Sequence, residues 1–127
     1  MEKHFWWGLL CLAVLLAAGL WIGAAMGSIH DPAAAELAQA AQAAIDGQME
    51  KAENYVNRAK EKWDSAWEFT ACVADHDHMD EIDSLFSQLD IWSKENRPVD
   101  YAGCCARLSS LLRAMAEAHR LNWQNIL

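Results

Sequence analysis

The chain has 127 residues, 54% of them hydrophobic, and a formal net charge of −8 at pH 7. That charge lies wholly from residue 30 onward, where nine Lys and Arg stand against seventeen Asp and Glu. This excludes the basic footprint of nucleic-acid binding and electrostatic adhesion to anionic lipid headgroups. Fewer than a hundred residues there make one small domain with a modest core.

The first element is Phe5 to Ile29, FWWGLLCLAVLLAAGLWIGAAMGSI, which holds no charged residue. A bilayer core of about 30 Å needs roughly 20 apolar helical residues, and backbone amides in lipid must bond within their own segment. The run is therefore expected to be a transmembrane helix. Trp6 and Trp7 at one end and Trp21 near the other suit the two interfaces, and Gly19-x-x-x-Gly23 is a spacing that permits close helix packing. The alternative is a cleaved secretory signal, cut after Ala25-Met26-Gly27. The apolar run is too long for that and the leading segment has one Lys, so an uncleaved anchor is expected. Lys3 precedes the span, and no Lys or Arg follows until Lys51. The positive-inside rule then puts the N-terminus in and the C-terminal domain out.

Asp31-Pro32 reads as a helix start, with Asp as N-cap and Pro in the first turn. The alanine-rich helix that follows, 32–46, reads as a short stalk ended by Asp46-Gly47. From Gln48, Tyr55 or Val56, Ala59, Trp63, Ala66 or Trp67, Thr70 and Val73 recur at spacings of three and four, the mark of an amphipathic helix. That stripe fails at Asp77 and Glu81, while a second one (Phe69, Cys72, His76, Met79, Ile82, Phe86, Leu89) runs through. A kink or break near 75–77 is expected, with Asp77 as N-cap. The next helix runs to about Lys94 on Ile82, Leu85, Phe86, Leu89 and Trp92. Glu95-Asn96-Arg97-Pro98 is the turn, and the last helix spans roughly 99–119, burying Tyr101 or Ala102, Cys105, Leu108, Leu111, Leu112 and Met115. The apolar ending, Leu121 to Leu127, is expected to dock on its own domain.

The order of these features resembles a known family. The residues that carry the likeness are His76, Asp77, Met79, Asp80, Glu81, Ile82 and Asp83, then Leu121 and Asn125-Ile126-Leu127, together with the anchor. They are similar to those of an uncharacterised family of small membrane-anchored helical proteins from clostridia-like, spore-forming bacteria, classed as a domain of unknown function. The likeness spans the anchor and about residues 60–127, without the alanine stalk. His78 stands where the family pattern has an acidic residue. The resemblance implies single-pass topology and a helical fold, and no known activity.

The sharpest candidate site is Asp75 to Asp83, with five carboxylates, two imidazoles and no cation. His76 and Asp80 at i, i+4 share a helix face, and His78 with Glu81 or Asp83 is a looser pair; imidazole plus carboxylate suits Zn, Mn, Fe or Ni. A structural zinc needs four protein ligands, and only His119 or Glu68 stands as an extra. No Glu-x-x-His pair of the di-iron kind is present. The cluster is read as a charged helix start, with His76 half-buried and the acids in water. Cys72 and Cys104 are expected about 20 Å apart along the bundle axis at 1.5 Å per residue, too far for a disulfide, so the thiols are expected free and buried. Trp63, Trp67, Phe69, Phe86, Trp92 and Tyr101 are read as core rather than as a ligand groove.

The expected fold is all-α: an anchor (1–29), an alanine-rich helical stalk (30–47) and an antiparallel hairpin or three-helix bundle (48–127). The expected function is a membrane-anchored, non-enzymatic interaction or accessory module of envelope or sporulation setting. Its partner would be another membrane or envelope protein, or a second copy in a dimer. No catalytic residue, cofactor or metal is assigned. The alternative is a metal-binding or metal-sensing domain using His76, His78, Asp80 and Glu81.

Overall fold

The computed structural model describes the backbone of residues 2–124 and the side chains of residues 2–118. It consists of four helices, α1 (Glu2–Ile45), α2 (Met49–Val73), α3 (His76–Lys94) and α4 (Pro98–Gln124), with no strand among the described residues. Short turns make successive helices antiparallel. The most extensive contact is between α1 and α4, α1 also packs along α2, α3 packs on α4, and α2 and α3 scarcely touch.

α1 departs most from expectation. It does not restart at Asp31-Pro32: Pro32 lies inside one continuous helix of 44 residues. Proline removes the amide that would bond to the Ser28 carbonyl, yet packing on both sides of it holds the helix together. Residues 2–15 are all exposed, with Phe5, Trp6 and Trp7 each about two-thirds accessible. Burial sets in at Gly23, and Met26, His30, Ala33, Ala34, Leu37, Ala40, Ala41, Ala43 and Ala44 then face the other helices. The segment expected to be a stalk is thus the core helix of a four-helix bundle. Alanine suits that place, because small side chains let neighbouring helices approach closely. The gap is filled by Trp63, Tyr101, Leu108, Leu112 and Met79 from the other three helices. Ser109, buried on α4, donates to the Ala34 carbonyl at 2.7 Å, which fixes the α1–α4 register.

The turns follow local chemistry. After α1, Gly47 at φ +79° lets the Gln48 amide reach the Ala43 carbonyl (2.8 Å) and the Gly47 amide reach Ala44 (3.2 Å), a Schellman pattern. Asn96, at φ +57°, does the same after α3, where the Arg97 amide donates to Trp92 and that of Asn96 to Ser93. The break between α2 and α3 falls where expected, but its cap is Asp75, not Asp77: the Asp75 carboxylate accepts from the Asp77 amide at 3.1 Å. Pro98 opens α4, where its missing N–H costs no helical bond.

Candidate functional site

The Asp75–Asp83 block opens α3, and helical geometry scatters its side chains. Asp75, His76, Asp77, His78 and Asp80 are exposed. His76 is therefore not the half-buried residue expected of it. The His78 Nδ1 lies 4.0 Å from a carboxylate oxygen of Asp75, its own helix cap. Glu81 turns the other way, to an ion pair with Arg107 of α4. Among the described residues no group of three or more His, Cys, Asp or Glu converges in a way that could hold a metal. Glu68, the other extra considered, is exposed, and the side chains of His119 and of the tail from Leu121 lie outside the described residues.

Asp83, the last carboxylate of the block, points inward and organises what the rest do not. One of its oxygens accepts from Trp63 Nε1 at 2.6 Å and the other from Trp67 Nε1 at 3.2 Å. An indole N–H is donor-only, so a buried one needs an acceptor, and Trp63 is 1% exposed. Two residues a turn apart on α2 are thereby tied to one on α3, across two helices that otherwise scarcely touch. On its far side, the Trp63 ring packs against His30 of α1 (centroids 5.6 Å). His30 Nε2 in turn lies 3.0 Å from the Thr70 hydroxyl, both groups fully buried. The result is two hydrogen-bonded groups, Thr70–His30 and Trp63–Asp83–Trp67, joined by a ring contact at the level where α1 enters the core.

His30 and Thr70 drew no functional reading from the sequence. The signal that could have found His30 is the helical spacing it shares with Met26, Ala33, Ala34 and Leu37. Nearby, Glu36 of α1 is held by Arg58 Nε (3.4 Å) and Lys62 Nζ (2.9 Å) of α2. Those two basic residues join α1 to α2. Lys60 and Asp64 pair locally on the surface of α2, at 3.0 Å.

The cysteines are free. Cys104 and Cys105 are buried, whereas Cys72, expected in the core, is exposed. Burial pushes the Cys105 thiol up to about 12, with adjacent Cys104 adding to it. Burial also raises Cys104, opposed by the Arg107 charge, and its Sγ lies 3.4 Å from the Leu85 carbonyl. Such thiols are protonated at neutral pH and behave as small hydrophobes. The aromatic side chains expected in the core divide. Trp63, Phe86 and Tyr101 are buried, Phe69 and Trp92 are half-buried, and Trp67 is exposed along one edge. Shallow grooves also mark the described surface, two of them beside the residues above. One of about 520 Å³ runs between α1 and α2 past Ile29, Pro32, Lys62 and Phe69. Another of about 460 Å³ lies between the α2–α3 corner and α4, past His78, Ile82 and Leu111.

A family model described as "Domain of unknown function (DUF4363)" matches residues 21–126. The match takes in the alanine-rich part of α1, which the resemblance read from the sequence left out, and begins at Trp21. No curated protein and no solved structure matches the chain.

Proposed function

The chain belongs to the DUF4363 family of unknown function, and for it we propose the role of a membrane-tethered, non-enzymatic interaction module. In this reading α1 crosses the membrane once and hands an acidic four-helix bundle to the far side. The bundle there docks on another membrane or envelope protein, or on a second copy of itself, in an envelope or sporulation setting. The observation that carries the reading is the division of α1. Its first half is apolar, exposed and long enough to cross a bilayer, and its second half is the central helix of the core.

The division also bears on cleavage. A cut after Gly27 would remove Gly23, Met26 and Gly27 from the packed interior, so the bundle retains its full core only if the anchor stays. The single Lys3 before the span favours an extracytoplasmic bundle. The inward-facing polar groups support a structural rather than a chemical role, because they satisfy one another. A tether raises the effective concentration of a weakly binding module near its partners.

The test is chemical crosslinking in intact membranes, followed by recovery of the full chain in mild detergent. A reproducible partner or a homodimer is expected. Recovery of the monomer alone, at crosslinker concentrations that capture known membrane complexes, would overturn the proposal.

A further inference from the structure

The bundle has no spacer between it and the proposed span. A hydrocarbon layer of about 30 Å takes roughly 20 helical residues; counted from Phe5, that reaches Ala24. Yet Gly23, Met26 and Gly27 are already inside the bundle, and Trp21 meets Phe69 of α2 edge-on, at 6.0 Å between centroids. The helix leaves the apolar layer at the level at which it enters the core. α2 runs antiparallel to α1, and His30 of α1 lies against Trp63 and Thr70 of α2; Val73, where α2 ends, is six to seven residues past the midpoint of that pair and so level with about Ala24, and α3 begins at His76. The α2–α3 corner therefore lies at that same level.

We propose that this corner seats the bundle in the headgroup layer of the bilayer that α1 crosses. The inference rests on the membrane-tether reading. Its surface fits that layer: Trp21 and Cys72 are exposed and Phe69 half-buried, an amphipathic aromatic edge of the sort found at interfaces. Beyond it stand Asp75, His76, Asp77 and His78, all exposed. Carboxylates and imidazoles do not enter hydrocarbon unpaired, so they set the depth at which the corner stops. Charge attraction plays no part, since the bundle is acidic; the continuous helix holds the corner in place.

Cys72, native and exposed, provides the attachment point for a probe at the corner. The full chain carrying Cys11→Ser is labelled in detergent with an environment-sensitive fluorophore at Cys72, while Cys104 and Cys105 stay buried. It is then reconstituted into phosphatidylcholine vesicles containing a lipid spin-labelled near the headgroup. The control carries Cys72→Ser and Asn54→Cys; position 54 is exposed at the other end of α2, about 27 Å away at 1.5 Å per residue. Flotation is scored on the same samples. Several-fold stronger quenching at position 72 than at 54, in chain that floats, is the expected result. Equal, weak quenching in floated chain overturns the seating and leaves the tether intact. Chain that does not float overturns both.

Discussion

Asp83 shows how one side chain can decide a helix pair. Both of its oxygens are engaged by indoles, and one of those indoles is fully buried. Replacing it with Ala strands the Trp63 N–H in the core, a loss of about 1–3 kcal/mol. Asp83→Asn, which keeps one carbonyl acceptor, should lose less. Denaturant titration of the purified chain, followed by Trp fluorescence, reads both. A second residue-scale effect is on pH. The folded state holds the Cys105 proton to about 12, whereas an unfolded thiol releases it above about pH 9. Between those values the unfolded state binds fewer protons, so stability falls as pH rises, by about 1.4 kcal/mol per pH unit for one group. Tyr101, also raised mainly by burial, acts in the same direction at higher pH. Cys105→Ala should flatten the decline between pH 9 and 11 whatever it does to stability at neutral pH.

Among the elements, α1 bears the most weight. Ala34 lies against α4 with its carbonyl bonded to Ser109. Ala34→Leu should force α1 and α4 apart, at a loss of about 1–3 kcal/mol or more, with a lower melting temperature and exposure of the buried thiols to maleimide. Three of the four helices were legible in the sequence because their stripes alternate with charge: Val56, Ala59, Trp63 and Thr70 on α2, Ile82, Leu85, Phe86 and Leu89 on α3, Cys105, Leu108 and Leu112 on α4. The core role of α1 was not legible. Alanine gives almost no contrast between a buried face and a solvated one, and Asp31-Pro32 imitates a helix start. The acidic block was conspicuous as a string, but the member that ties α3 to α2, Asp83, is distinguished only by which face of α3 it takes. His30 and Thr70 are 40 residues apart, a pairing that only the packing of α1 on α2 creates.

At the scale of the whole molecule, the exposed apolar segment and the bundle share one helix, so under the proposed tether neither is separable from the other. The chain recovered from membranes should retain residues upstream of Met26. Intact-mass measurement showing a mature N-terminus at Ser28 would break the link between anchor and core. The measurement that tests the central claim most directly is amide hydrogen exchange on the full chain in lipid nanodiscs, resolved along residues 2–45. One continuous helix predicts unbroken protection from the span through Asp31 and Ala33 to Ala44. Fast exchange confined to the amides around Ser28–Ala33, between a protected span and a protected bundle, would contradict it: anchor and domain would then be two bodies joined by a hinge.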